Sequence, residues 1–357
     1  MEPKEVKEFL DKAKFFLYKK DINNAILSYI QILKVDSINY EANHNIGVCY
    51  MIEKRFDFAA RFLNRAMKIN PTKQDSRKYF EIALKKINYA IEKPLGIQIE
   101  TTSLCNAKCV FCPHKDMSRK KGCMSDDLFK KVIDQLIQID PIEVYPFMTG
   151  EPFMDKKIID RIKLINQKLP FASVKIFTNA ALISTEIIEE LNKLNIEGIV
   201  VSFNGATKKT YEQQMKLNYE TSLEKVNLLI QKSKAPIIIS NIATPETIPE
   251  EKEYKELWSK KKVNTYFFRF KNWGGKIKSE LPLTYEPCGR VFTHMAILSD
   301  GRVSLCCMDS EGEVILGDSN KDKLINIWNN DKAREIRKFH TDGEKHKINI
   351  CKDCTSA

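Results

Sequence analysis

The stretch Gly96-Ile-Gln-Ile-Glu-Thr-Thr-Ser-Leu-Cys105-Asn-Ala-Lys-Cys109-Val-Phe-Cys112 combines a short apolar segment with three closely spaced cysteines. A strand is predicted over residues 96–101, so the cysteines fall in the loop that follows it. Three thiolates in one loop can ligate only three irons of a four-iron cluster, because each cysteine takes one iron. The fourth iron then has no protein ligand and can bind a small molecule. A catalytic zinc likewise keeps one position open, whereas a structural zinc has four protein ligands. A zinc knuckle with a distant fourth ligand, or buried unpaired cysteines, are the less favoured alternatives.

Strand-like and helical segments alternate after Pro94. Strands are predicted over residues 96–101, 142–148, 174–178, 198–203, 236–242 and 265–270. Helices are predicted over 125–139, with Ser125 as the N-cap, and over 156–168, 185–194, 208–232 and 250–261. Such βα pairings form a parallel sheet with right-handed crossovers. We therefore expect an α/β fold in which residues 94–279 form a partial (β/α)6 TIM-like barrel, with the ligand site at the carboxyl ends of the strands.

The first 93 residues are helical in pattern and resemble tetratricopeptide repeats, which have a 34-residue period. Small, aromatic and proline positions match that template at Gly47, Tyr50, Ala59, Ala66 and Pro71, and one period earlier at Ala13, Phe16, Ala25 and Tyr29. A third helix over residues 74–92 would cap the second repeat. The prediction is an all-α TPR-like domain over residues 1–93 that could bind a protein partner. An unrelated pair of helical hairpins remains the alternative.

Composition excludes several classes of protein. The chain has 357 residues, a net charge of +11, and 43% hydrophobic and 29% charged residues, which is ordinary for a globular protein. It has no run of about 18 apolar residues and no secretory signal pattern, so we expect a cytoplasmic protein without a membrane span. Ten cysteines without an export signal favour metal or redox chemistry over disulfides. The basic runs at residues 119–121 and 260–262 are short and lack interleaved aromatic residues, which disfavours nucleic acid as a partner.

The cysteine loop resembles the CxxxCxxC signature of the radical S-adenosylmethionine (radical SAM) family. This resemblance implies a [4Fe-4S] cluster ligated by Cys105, Cys109 and Cys112, whose open iron binds the methionine moiety of S-adenosylmethionine. In that family, reductive cleavage of S-adenosylmethionine gives a 5′-deoxyadenosyl radical, which abstracts a hydrogen atom from the substrate. It also implies an electron donor such as flavodoxin or ferredoxin.

Further residues match the family at strand ends. Thr149-Gly150-Glu151-Pro152 resembles the GGEP motif, whose backbone and acid receive the methionine amino group, with Thr149 in place of the first glycine. The resemblance implies cofactor binding by Phe111, Thr149, Gly150, Glu151, Asn179, Ser202, Asn204, Asn241 and Arg269. For the residues after the third to sixth strands, an ordinary polar strand end is an equally good interpretation.

The tail contains Cys288, Cys306, Cys307 and the pair Cys351-Lys-Asp-Cys354. Asp300-Gly301 between apolar alternations predicts a hairpin. The tail resembles the SPASM or shortened twitch extension, so residues 280–357 are expected to form a small α+β domain with a second [4Fe-4S] cluster. The family's Gly-x4-Cys pattern, here Gly301 to Cys306, implies the ligands Cys288, Cys306, Cys351 and Cys354. A zinc ribbon uses the same ligand type and is the alternative. Cys49 and Cys123 are expected to be plain residues.

These observations favour an iron–sulfur oxidoreductase or related transformase of the radical SAM class, which would oxidise, epimerise or otherwise modify its substrate. A sugar or nucleotide-linked small molecule is the preferred substrate, with peptide (RiPP-type) maturation as the alternative. The hypothesis of another class is a non-catalytic TPR scaffold with structural zinc–cysteine sites. Glu151 and the open three-cysteine loop argue against it, because a scaffold does not need an iron that lacks a protein ligand.

Overall fold

The chain divides into two units at the junction of Ile91 and Glu92. The computed structural model describes residues 3–87, 91–279, 282–283 and 286–355. None of the helices in these ranges has the length and apolar character of a membrane-spanning segment.

The N-terminal unit is helical, as predicted. Its five helices are α1 (Pro3–Tyr18), α2 (Ile22–Val35), α3 (Tyr40–Ile52), α4 (Phe56–Ile69) and α5 (Gln74–Lys86), and each contacts the next along the chain. The bounds of α4 follow those of α2 by 34 residues, which is the period of the predicted repeat. The predicted capping helix begins at Gln74 as α5 but ends at Lys86, and residues 91 and 92, predicted as its last, are not helical. Residues 88–90 of the prediction lie outside the described residues.

Small residues allow close helix contacts in this unit. A Cβ atom added to Gly47 of α3 would lie 2.6 Å from Cγ of Leu63 in α4, so only glycine permits this approach. Ala25, Ala42 and Ala59 are fully buried. Polar caps fix the helix starts, because a side-chain oxygen accepts from an otherwise unpaired backbone N–H. The Asp21 carboxylate accepts from the amide of Asn24 at the start of α2.

The second unit is built on one nine-stranded sheet, which confirms the predicted α/β class. Its strands are β1 (Gly96–Ile99), β2 (Glu143–Tyr145), β3 (Ser173–Thr178), β4 (Gly198–Ser202), β5 (Ile237–Ala243), β6 (Asn264–Arg269), β7 (His294–Ile297), β8 (Arg302–Ser304) and β9 (Ile315–Asp318). The order is β6-β5-β4-β3-β2-β1-β7-β8-β9. The pairings from β6 through β1 are parallel, as the predicted βα repeats require.

Helices connect the parallel strands and continue into the tail. They are α6 (Asp126–Ile139), α7 (Ile158–Lys168), α8 (Thr185–Leu191), α9 (Lys208–Met215), α10 (Tyr219–Lys232), α11 (Glu251–Ser259), α12 (Arg290–Thr293), α13 (Leu324–Trp328), α14 (Asp331–Thr341) and α15 (Asn349–Lys352). In α6 the predicted N-cap is present, because the Ser125 hydroxyl accepts from the amide of Leu128. Its apolar face buries Phe129, Val132 and Leu136.

The predicted single helix over residues 208–232 is wrong, because the structure breaks it into α9 and α10. Lys216 has a left-handed backbone with φ of 57°, and Asn218 caps α10 by accepting from the amide of Thr221. The break leaves carbonyl groups at the end of α9 free for other donors. The amide of Val110 in the cysteine loop donates to the Gln214 carbonyl at 3.0 Å. A continuous helix would use that carbonyl itself.

The tail joins the barrel sheet, which the sequence pattern did not predict. Strand β7 pairs in parallel with β1, with Gly96 opposite His294, and β8 and β9 continue the sheet in antiparallel fashion. The predicted hairpin is the β7–β8 connection, where Gly301 has φ of +92°. A side chain there would be strained, and its Cβ would lie 2.4 Å from Nδ2 of Asn320.

Candidate active site

A cavity of about 690 Å³ opens at the carboxyl ends of the parallel strands. Its lining includes most of the residues singled out in the sequence: Cys105, Cys109, Phe111, Cys112, Thr149, Gly150, Glu151, Asn179, Ser202, Asn204 and Arg269. Asn241 is not part of it. The neighbours of Asn241 in β5, Ser240 and Ile242, do line the cavity, and successive residues of a strand face opposite sides. Both side-chain polar atoms of Asn241 are buried, without a hydrogen-bond partner in the described part of the chain.

The cysteine loop is held against the end of α9. Besides the Val110 bond, the Cys109 thiol lies 3.7 Å from Sδ of Met215, and the Met215 sulfur also accepts from Nδ2 of Asn204 at 3.0 Å. Burial raises the pKa of Cys105 to about 11 and that of Cys109 well above its usual value. A buried thiol of this kind keeps its proton until a metal replaces it. Three thiols facing one cavity fit the donor set of an iron–sulfur cluster with one open position.

The Gly150-Glu151 segment approaches the same loop closely. A Cβ atom on Gly150 would lie 2.2 Å from the Thr102 carbonyl oxygen, and the Glu151 amide donates to the Leu104 carbonyl at 2.8 Å. Glycine is therefore required at position 150 for this contact.

The Glu151 carboxylate is 3% exposed and lines the cavity. It accepts from the Thr178 hydroxyl at 2.6 Å and from the Asn179 amide at 2.8 Å. Burial raises the pKa of Glu151 to about 7, and these hydrogen bonds act in the opposite direction. Such a carboxylate is suited to an ammonium group, whose charge would favour its ionised form.

Thr149 takes part in a buried network that sequence reasoning missed. Its hydroxyl donates to the carboxylate of Glu100, which is fully buried, and accepts from Nη2 of Arg119 at 3.0 Å. Nη1 of Arg119 donates to Glu100 at 2.8 Å, and the amide of Ser299 donates to the same carboxylate at 3.1 Å. Glu100 thus joins the end of β1, the segment after the cysteine loop, the Thr149 turn and the tail. Glu100 is far from Thr149 in the sequence, where no pattern marks it as the partner of the Thr149 hydroxyl.

The four predicted auxiliary ligands line a second, smaller space together. Cys288, Cys306, Cys351 and Cys354 surround it with His340 and Lys345. Nowhere in the described ranges do three Cys, His, Asp or Glu side chains come close enough to share one ion. The four thiols therefore line a common space. Four thiols from three segments fit the donor set of a closed cluster.

Cys307 faces the other way. It lines the active-site cavity, and its sulfur accepts from Nη1 of Arg290 at 2.8 Å. The neighbouring thiols Cys306 and Cys307 therefore line different spaces.

The remaining cavity wall was not predicted from the sequence. Aromatic side chains of Tyr145, Phe147, Phe177, Phe268, Phe270 and Trp273 line it, together with His294, Lys271 and Arg290. Rings of Phe147 and Phe177 stack with centroids 4.7 Å apart. The indole N–H of Trp273 donates to the Phe111 carbonyl at 3.1 Å, which fixes the loop after β6 against the cysteine loop. Phe147, Phe270, Lys271 and Trp273 follow the ends of β2 and β6, and this is the sequence signal that they share with the predicted set.

Two family models match the chain. Residues 99–259 match the model described as the radical SAM superfamily, and residues 288–355 match the SPASM model, described as an iron-sulfur cluster-binding domain. These two domains imply [4Fe-4S] clusters and S-adenosylmethionine as cofactors, and the thiols facing the two spaces described above fit that requirement.

Several known proteins are similar to this chain in sequence or in fold. The S-adenosyl-L-methionine-dependent 2-deoxy-scyllo-inosamine dehydrogenase of Niallia circulans is 23% identical over 263 residues, which cover 73% of this chain and 92% of that protein. BtrN in complex with AdoMet and 2-DOIA has a similar fold, with a TM-score of 0.55, 20% identity, and coverage of 73% of this chain and 92% of that one. SuiB of Streptococcus suis bound to precursor peptide SuiA has a TM-score of 0.64 at 17% identity, covering 93% of this chain and 88% of that one.

Proposed function

We propose that this chain, a radical SAM enzyme with a C-terminal SPASM domain, abstracts a hydrogen atom from a sugar or nucleotide-linked small molecule. The observation that carries the proposal is the shared cavity. One wall contains the cysteine loop and Glu151, and another contains Cys307 and Met308 of the tail. A substrate in this cavity would lie next to both cofactor-holding parts of the second unit.

Residues of the chain have distinct tasks in this proposal. Cys105, Cys109 and Cys112 would hold the first cluster, and Glu151 would bind the amino group of S-adenosylmethionine. When bound, these cofactors supply a 5′-deoxyadenosyl radical for hydrogen abstraction. The aromatic wall would exclude water and pack against the substrate, which protects reactive species from side reactions.

The relatives support a small polyhydroxylated substrate and keep a peptide as the second candidate. The Niallia circulans relative is named as a dehydrogenase of 2-deoxy-scyllo-inosamine, a small molecule, and aligns with most of this chain. SuiB has a similar fold and was solved with a precursor peptide. The N-terminal helical unit would be the part of this chain that recognises a peptide or a protein partner.

Cofactor cleavage tests the enzyme class directly. Anaerobically reconstituted protein with dithionite and S-adenosylmethionine should release 5′-deoxyadenosine, and Cys109→Ala should release none. The matched control is Cys123→Ala, because Cys123 is an exposed cysteine in the same unit that lies outside both cysteine sets. Release at the wild-type rate by Cys109→Ala, or none by the wild-type protein, would contradict the proposal.

A further inference from the structure

Most of the charged residues that line the active-site cavity are cations. Glu151 is the one carboxylate among its lining residues in the described ranges, and Arg269, Lys271 and Arg290 line the same space. Glu151 accepts hydrogen bonds from Thr178 and Asn179, and its charge is assigned above to the amino group of S-adenosylmethionine. The remaining wall therefore carries a surplus of positive charge.

These cations have no carboxylate partners among the described residues. Arg290 donates to the Cys307 sulfur, and no ion pair is formed by Arg269 or Lys271. Lys276, five positions after Lys271, shows the usual alternative, because it pairs with Glu313. Arg119, on the segment after the cysteine loop, pairs with Glu100. Cations that line a cavity without a carboxylate partner attract an anionic ligand into it.

Lys271 is the most informative of the three cations. Arg290 also lines the space between the auxiliary cysteines, so part of its charge would offset that of a cluster held there. Arg269 is exposed and ends β6, where S-adenosylmethionine contact was predicted. Lys271 is half-buried, lies on the loop after β6 and lines the cavity together with Arg290 and Cys307. Lys271 and Arg290 thus belong to the wall of one cavity, and neither has a carboxylate partner among the described residues.

We propose that Lys271 and Arg290 bind a phosphate group of the substrate, which makes the substrate a phosphorylated or nucleotide-linked sugar. This inference rests on the proposed function and specifies its substrate class. Arginine and lysine together suit a phosphate, because the guanidinium fork matches two phosphate oxygens and the ammonium adds a point charge. The flat aromatic wall beside them offers faces on which a sugar ring or a base can stack.

Binding to the reconstituted full-length protein with S-adenosylmethionine present tests the proposal without turnover. The probes are inorganic pyrophosphate, glucose 1-phosphate, UDP-glucose, glucose and succinate, measured by anaerobic calorimetry. Pyrophosphate and at least one of the two phosphorylated sugars should bind, with affinity that falls as salt is added, whereas glucose should bind at least tenfold more weakly. Lys271→Ala should weaken phosphate binding about tenfold or more, and Lys271→Arg should restore most of it.

Lys278→Ala is the matched control, because Lys278 is an exposed lysine of the same loop that does not line the cavity. It should bind the probes as the wild-type protein does. Equal binding of glucose and glucose 1-phosphate, no binding of any phosphorylated probe, tighter binding of succinate than of pyrophosphate, or equal losses in Lys271→Ala and Lys278→Ala would each overturn the proposal. A failure of the proposed function would look different, since the wild-type protein would then form no 5′-deoxyadenosine.

Discussion

Glu151 is a buried carboxylate whose protonation would make the proposed cofactor binding depend on pH. Its raised pKa of about 7 means that the free protein carries a largely protonated Glu151 below neutrality. An ammonium group of a ligand needs the ionised form. The same burial affects folding, because the native state binds this proton more tightly than the unfolded chain. The contribution of Glu151 to the free energy of unfolding therefore decreases as pH rises from about 4.5 to about 7.

We predict that the affinity for S-adenosylmethionine rises with pH up to about 7 and falls again above the pKa of an α-amino group, about 7.7–8.0. Below pH 7 the loss should approach tenfold per pH unit. Glu151→Gln should bind more weakly and lose the acid limb of this profile while keeping the alkaline limb. Equilibrium binding between pH 5.5 and 9 measures both limbs. An unchanged acid limb in Glu151→Gln would assign it to another group.

Cys306 and Cys307 are neighbours in sequence that face different spaces. We predict that Cys306→Ala lowers the iron content of reconstituted protein by about half, because each cluster contributes about four irons. Cys307→Ala should keep nearly all of the iron, and it serves as the matched control. Iron and zinc analysis of both variants measures this. One zinc per chain in place of the second group of irons would contradict the cluster assignment of the tail.

At the scale of elements, the Glu100–Arg119 pair connects segments that carry different parts of the site. Both side chains are almost fully buried, and the Arg119 N–H group that donates to the Ser310 carbonyl reaches the β8–β9 connection. Glu311 adds to this link, since its carboxylate accepts from the Ser118 and Arg119 amides. The network therefore positions the Thr149-Gly150-Glu151 turn relative to the tail.

We predict that Arg119→Met destabilises the protein by about 3–5 kcal/mol, because it leaves the buried Glu100 carboxylate without its cation. The double variant Glu100→Gln with Arg119→Met should recover part of that loss. Chemical denaturation measures the unfolding free energies, and the affinity for S-adenosylmethionine reports on the turn. Lys120→Met is the control, because it removes an exposed neighbouring cation. A loss in Lys120→Met as large as in Arg119→Met would refute the role of the network.

At the scale of the whole molecule, the chain forms two compact units, and the first is helical. We predict that deletion of residues 1–91 leaves a soluble protein that binds iron and releases 5′-deoxyadenosine slowly. Turnover of the true substrate should fall if the helices recognise a peptide or a partner protein. Solubility, iron content and 5′-deoxyadenosine release measure this against the full-length chain. Recovery of only insoluble protein would show that the helices are required for folding of the rest.

Local patterns in the sequence determined the elements and the first cofactor site. Period-two and period-3.6 apolar patterns gave the order of strands and helices, and the three cysteines and Glu151 lie at strand ends that a parallel sheet must bring to one edge. Where an interaction is local, as in the Ser125 cap or the Gly301 turn, sequence reasoning also succeeded. It failed for Asn241, because placement at a strand end does not say which face the side chain takes.

Tertiary structure alone decided the features that depend on distant partners. The carbonyls at the end of α9 accept from amides of the cysteine loop, which lies about a hundred residues earlier in the chain. Strand β7 extends the barrel sheet by pairing with β1, nearly two hundred residues away. Lys271, Arg290 and Cys307 come from three segments that no local pattern connects, and they meet only when the tail packs on that sheet. The apolar period of a segment shows which of its residues are buried. It does not show which distant segment buries them, because that depends on how the whole chain folds.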